Sequence, residues 1–263
     1  MTENIMVKLG GSVVTDKSGE CRVDEARIAL IAAELASRPD MRFIVVHGAG
    51  SCGHPEAQRH HLDKGLNQNN KAGIFITHNA VRNLNDAVVK ALRATGVEAV
   101  GIHPLDACVA HNGRLTSFDS GPVELLMHHG IVPVLHGDVV MDRERGACIV
   151  SGDQLIAVLP SKIRIDRIGL ATDVPGVLKY GEVVPLITPD TADILDIRQS
   201  ENTDVTGGMK GKISELLALA EQGTESSIFH VSRLGDFLDG RDHGGTVVSS
   251  SRTQDGKRAP LHT

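Results

Sequence analysis

The chain has 263 residues, enough for one large α/β domain or two small ones, and with 41 % hydrophobic residues it can bury a substantial core. It has no Trp and one Tyr, so that core must be built from Val, Ile, Leu and Ala. Its 27 basic and 33 acidic residues leave a net charge of −6, which argues against a nucleic-acid surface or a polybasic membrane anchor. No apolar run approaches the ~18 residues of a membrane span.

Apolar β-type runs alternate with helical periods along the chain. Ile5–Leu9 reads as a first strand ending in Gly10-Gly11, and it starts so early that no signal peptide is expected. Ile28, Ile31, Ala32 and Leu35 share one face of a helix over Ala26–Leu35, which Arg38-Pro39 ends. Phe43–His47 is the second strand. From Lys71 to Thr95, Ile74, His78, Val81, Leu84, Val88 and Leu92 recur at three- and four-residue steps, a long helix closed by Gly96. Short buried strands are expected at Val97–His103, Ile131–Leu135, Ile168–Ala171 and Ser227–Val231. Ile213, Leu216, Leu217 and Ala220 form another amphipathic helix. Lys179–Val205 is patchy and polar and reads as an extension rather than core. Near-continuous apolar strands separated by helices predict an α/β fold with a mainly parallel sheet covered on both faces. Cys21, Cys52, Cys108 and Cys148 have no C-x-x-C spacing and read as reduced thiols of a cytoplasmic protein.

In such sheets ligands bind where glycine-rich turns leave strand ends. Here there are several: "KLGGS", "HGAGSCGH", "HGDVV" and "ATDVPG", with "VSGDQL" and "TGGMKGK" opening helices. They exceed what one dinucleotide needs. Gly48, Gly50 and Gly53 satisfy G-x-G-x-x-G, but that loop follows the second strand, and "NNKAGIFITHN" offers no carboxylate for a ribose. The Rossmann reading therefore ranks below a plain tight turn. "TGGMKGK" lacks the Walker A spacing, since Ile213 follows Lys212 where Ser or Thr is required. Lys8, at a strand end before a Gly-Gly turn, and Lys212, opening a helix after another glycine pair, read as phosphate ligands. Lys210 reads as a solvated charge.

"VKLGGSVVTDKS", "VVHGAGSCGHPEA", "VPVLHGDVV", "VSGDQL", "ATDVPGV" and "NTDVTGGMKGK" stand in the order found in the amino acid kinase superfamily. Within it, the combination resembles the isopentenyl phosphate kinases. The resemblance implies an open αβα sandwich, a single domain over residues 1–263. Its acceptor-binding part would span about 1–160 and its nucleotide-binding part about 161–263. It implies a homodimer that transfers the γ-phosphoryl of ATP to isopentenyl monophosphate, with Mg2+ carried by the nucleotide phosphates. The acidic charge balance and the lack of a long apolar run leave no nucleic-acid or membrane partner expected. A fosfomycin-type phosphonate kinase and a non-catalytic nucleotide-sensing protein are the rival readings.

By the same resemblance, Lys8 and Lys212 neutralise the ATP phosphates and the transferring group, and Lys17 stabilises the transition state. Gly10, Gly11 and Ser12 cradle phosphate through backbone N–H groups, joined on the nucleotide side by Gly50, Asp173 and Gly208. Asp153 orients the lysines, its alternative being a helix N-cap. His54 binds the acceptor phosphate as a ring N–H donor, with added charge if protonated, beside the N–H groups of Ala49 and Gly152. His47, His60, His61, His78, His128 and His129 have no motif behind them and read as structural. Ile74, Phe75, Ile76 and Val81 are candidates for an isoprenoid pocket. Two residues depart from the family pattern. Cys52 replaces a common Phe, with the size of the acceptor side in question, and Pro175 replaces an Asp near the nucleotide.

Overall fold

The computed structural model describes residues 2–16, 21–194 and 207–250. β1 (Asn4–Leu9) runs into the single turn α1 (Gly11–Val14). α2 (Glu25–Ala36) starts at Asp24, whose side chain caps it by accepting from the Arg27 N–H, and it buries Ile28, Ile31, Ala32 and Leu35 as the period requires. β2 (Arg42–His47) leads into α3 (Gly50–Arg59). The long helix α4 (Ala72–Ala94) buries Thr77, Val81, Leu84, Asn85, Val88 and Leu92 along one stripe and stops before Gly96, which adopts φ +86. β3 (Ala99–Gly101) is shorter than expected because Pro104 opens α5 (Pro104–Ala107).

The hairpin β4 (Cys108–His111) and β5 (Arg114–Phe118) follows, then α6 (Gly121–His128) and β6 (Val132–His136). A second hairpin, β7 (Asp138–Asp142) and β8 (Gly146–Val150), precedes α7 (Gly152–Val158) and β9 (Arg167–Thr172). The short strands β10 (Leu178–Lys179), β11 (Glu182–Val183) and β12 (Leu186–Ile187) lead to α8 (Pro189–Ile194). α9 (Gly207–Glu221), β13 (Ser226–His230), α10 (Leu234–Leu238) and β14 (Thr246–Val248) complete the described chain.

The main sheet has eight strands in the order β12-β14-β13-β9-β1-β2-β6-β3. Every pairing in it is parallel except β13 with β14. Successive side chains of a strand point to opposite faces, and the core divides accordingly. Ile5, Val7, Leu9, Phe43 and Val45 pack with residues of α2, α4 and α10. Met6, Ile44 and Val46 pack with residues of α6, α7 and α9. The result is the αβα sandwich expected from the sequence. The same alternation sends Lys8 to the α7/α9 face and His47 to the α4 face.

Three expectations are corrected. A separate four-stranded sheet, β5-β4-β7-β8, was not foreseen, and "HGDVV" is the entry to one of its strands rather than a turn alone. Lys179–Val205 is not wholly an extension: β12 joins the main sheet beside β14, with Ile187 and Ala192 buried, while residues 195–206 lie outside the described part. Cys21 and Cys52 are joined by a disulfide, Sγ–Sγ 2.09 Å, so these two are not the reduced thiols expected. Their pairing across 31 residues has no spacing signature. Cys108 and Cys148 are free and buried, and burial pushes both thiols up to about 12.

Candidate active site

The site forms where parallel strands end and two glycine turns meet. Gly48 and Gly50 lie against Gly11 so closely that a Cβ on Gly11 would stand 2.7 Å from the Gly50 Cα, and one on Gly48 would stand 2.7 Å from the Gly11 nitrogen. Gly50 also holds φ +53, in the left-handed region, and a Cβ there would collide with Thr15. Thr15 pins the contact: its hydroxyl donates to the Gly11 carbonyl at 2.9 Å and accepts from the Ser51 N–H at 3.0 Å. The turns "KLGGS" and "HGAGS" are therefore one structure.

Lys8, the penultimate residue of β1, extends toward α7, where its Nζ stands 3.0 Å from Asp153 Oδ1. Lys8 is 3 % exposed, so its charge needs this partner. The contact is one of charges, since Oδ1 makes no well-aligned hydrogen bond. The N-cap of α7 is Ser151, whose hydroxyl accepts from the Gln154 N–H, and that leaves Asp153 in the first turn to face the lysine. Gly152 lies close to the Lys8 stem and the His47 carbonyl: a Cβ on it would stand 3.6 Å from the Lys8 Cε and 3.3 Å from the His47 oxygen, a tight fit.

A cavity of about 390 Å³ is lined by Gly10, Gly11, Ser12, Gly50, His54, Asp173 and Lys212. Seven of the residues expected at the site thus share one cleft, and Lys8 with Asp153 stands close enough to act on it electrostatically. Lys212, in the second turn of α9, has its pKa lowered by burial and then by Lys8, against the opposing pull of Asp153 and Asp173. His54 in α3 has its pKa lowered by partial burial, then by Lys212 and Lys8. All three influences favour the neutral ring over the protonated form that would have added charge. Gly208 falls in the first turn of α9.

Of the three amides expected to cradle phosphate, that of Gly10 donates to the Ala171 carbonyl at 2.9 Å, which leaves Gly11 and Ser12. Ala49 precedes α3 and Gly152 opens α7. Lys17 lies outside the described residues. Cys52 is buried in the core and bonded to Cys21. Pro175 sits exposed in the bend after Asp173. Among the isoprenoid-pocket candidates, Val81 is core against Gly53 and Phe75 is 70 % exposed, whereas Ile74 packs with Leu62, Val139 and Ile149.

Sequence reasoning missed Thr15, although a hydroxyl four residues after the second glycine of "GGSVVT" was a readable signal. It also left His47 structural; the ring donates to the Gly48 carbonyl at the base of the Gly48–Gly50 turn.

The amino acid kinase family model matches residues 4–230. The chain is 42 % identical to the isopentenyl phosphate kinase of Haloferax volcanii over 248 residues, covering 93 % of this chain and 98 % of that one. It is 38 % identical to that of Methanothermobacter thermautotrophicus, with the same coverage. A solved isopentenyl phosphate kinase structure matches with a TM-score of 0.82 at 33 % identity, covering 93 % of this chain and 100 % of the other. The lysines, glycine turns and histidine of the cleft thus sit within a likeness that spans almost the whole chain, which belongs to the amino acid kinase family.

Proposed function

We propose that this protein transfers the γ-phosphoryl group of ATP to isopentenyl monophosphate, giving isopentenyl diphosphate and ADP. The observation that carries the reading is the contact of Gly11 with Gly48 and Gly50, which fuses two phosphate-type turns into one cleft between Lys8, His54 and Lys212. The relatives named above supply the acceptor.

The acceptor is a phosphate monoester, largely anionic at neutral pH, so no base is needed to make it a nucleophile. The obstacle is repulsion between two anions. Catalysis then consists of positioning and charge compensation. Lys8, held by Asp153, and Lys212, whose ammonium is crowded by Lys8, would gain most from an added anion. The neutral His54 ring donates one N–H to the acceptor phosphate, and the amides of Ala49 and Gly152 complete its cradle. Those of Gly11 and Ser12 face the donor phosphates, beside Gly50, Gly208 and Asp173. Lys17 belongs to the same set by its place in the motif. The carboxylates fit a metal that arrives on the nucleotide: Asp153 already balances Lys8, and Asp173 borders the cleft. Magnesium there would share the phosphate charge with the lysines. The division into an acceptor part, about 1–160, and a nucleotide part, about 161–263, follows from this assignment. A homodimer agrees with the edge strand β3 and its exposed Val100.

A coupled ADP-release assay with Mg-ATP against isopentenyl phosphate, dimethylallyl phosphate, fosfomycin and glutamate tests the reading. Preference for isopentenyl phosphate is expected. Good turnover of another acceptor with none of isopentenyl phosphate overturns it.

A further inference from the structure

His47 and His136 end two adjacent parallel strands at matched positions, their rings stacked with centroids 5.5 Å apart. Both are fully buried, and each approaches the carbonyl of the glycine that follows it: His47 Nδ1 to Gly48 at 3.0 Å, His136 Nδ1 to Gly137 at 3.1 Å. A carbonyl only accepts, so each ring carries its proton on Nδ1. The other nitrogens must then accept. Asn85 meets His47 Nε2 at 3.1 Å while also donating to the Val134 carbonyl at 3.1 Å, and His103 Nδ1 meets His136 Nε2 at 2.9 Å. The tautomers are fixed from both sides. Burial lowers both pKa values, that of His47 to about 4, which keeps the rings neutral.

The peptide plane carries this to the cleft. His47 points to the α4 face, where Asn85 stands, so the Gly48 carbonyl it holds is turned to that face as well. A trans peptide sets its C=O and N–H on opposite sides. The Ala49 N–H is thereby turned to the α7/α9 face, where Lys8, Gly152 and Asp153 stand. Behind it, the Gly137 N–H donates to the His47 carbonyl at 3.0 Å, and Gly137 packs on the Gly152 nitrogen. The stacked pair thus backs both amides assigned to the acceptor.

We infer that His47, braced by Asn85 and His136, is a positioning residue for the acceptor phosphate: it sets the tilt of the Gly48–Ala49 peptide and hence the aim of the Ala49 N–H. The inference rests on the function proposed above. Asn places a donor near the Nδ1 position, Gln places one near Nε2 instead, and Leu supplies neither. Steady-state KM and kcat are measured for isopentenyl phosphate and for ATP in His47→Asn, His47→Gln and His47→Leu. His47→Gln and His47→Leu are expected to raise the KM for isopentenyl phosphate at least tenfold with the ATP KM within twofold, and His47→Asn to stay within threefold of wild type. If His47→Leu does not fold, the Asn and Gln pair carries the comparison. Equal impairment of Asn and Gln, a parallel rise in the ATP KM, or unchanged values in Gln and Leu would overturn the role. Should the wild type use another phosphate acceptor, the functional reading falls, and the same split measured on that acceptor decides the role of His47.

Discussion

Lys8 Nζ and Asp153 Oδ1 meet at 3.0 Å across the join of β1 and α7, with the lysine almost wholly removed from water. Removing one partner leaves a buried charge alone, which costs about 3–5 kcal/mol, whereas removing both need not. Asp153→Leu should therefore lower Tm sharply, and Asp153→Leu combined with Lys8→Met should regain much of it. Turnover should be lost in both. Thermal melts and kinetics side by side check this, and a double variant as unstable as the single would contradict it.

His54→Ala should raise the KM for isopentenyl phosphate at least tenfold while leaving the ATP KM nearly unchanged. The residue is only partly buried on the cleft wall, so its removal should alter Tm little. Its lowered pKa adds a second expectation. Around pH 7 to 8 the acceptor kcat/KM should show no step that disappears in His54→Gln. Parallel weakening of both substrates would remove His54 from the acceptor side.

Acid should destabilise the fold through His47. In the native protein this ring takes no proton until about pH 4, whereas the unfolded chain binds one below about 6.5. Stability is then full above the unfolded value and is lost as pH falls through that window, roughly 3 kcal/mol by pH 4 from this ring. His78 and Asp138, whose pKa values are raised, act in the opposite sense. The readable quantity is thus a difference: urea melts from pH 7.5 to 4.5 should fall less steeply in His47→Asn than in wild type. Parallel slopes would sink the assignment.

The Cys21–Cys52 bridge closes a 31-residue loop that starts four residues after Lys17 and ends in α3 two residues before His54. Alkylation of the unfolded, unreduced protein should label Cys108 and Cys148 alone, as mass spectrometry would show. Cys52→Ser should cost stability of roughly 3–4 kcal/mol on the loop-entropy account. Four labelled cysteines would mean that the bridge does not form.

The main sheet was legible because its signals are local. Ile28, Ile31, Ala32 and Leu35 repeat at helical steps, and β1, β2 and β9 are short runs bounded by glycine or charge. The second sheet was not, because its strands mix burial with polarity: Asp138 and Asp142 are buried within β7, and Arg114 and Ser117 face outward on β5. The site followed the same division. Lys8 and Lys212 were readable from their glycine neighbours, since a cation beside bare amides has few other uses. The disulfide was not, because it joins residues that only the packing of α3 against the preceding loop brings together. His47 was passed over because a histidine closing a strand looks like any other. Its meaning comes from which carbonyl it meets.

The contact between Gly11 and Gly50 has a consequence for how the reaction could diversify. Neither turn can move without displacing the other, and Thr15 rivets them from a third point. On the function proposed above, the span between donor and acceptor phosphates would therefore be built into the main chain as a gauge of fixed length. Under that proposal, substitutions around Ile74, Leu62 and Val139 would remould whatever hangs from the acceptor, while the two phosphorus atoms would still meet at the separation those glycines impose.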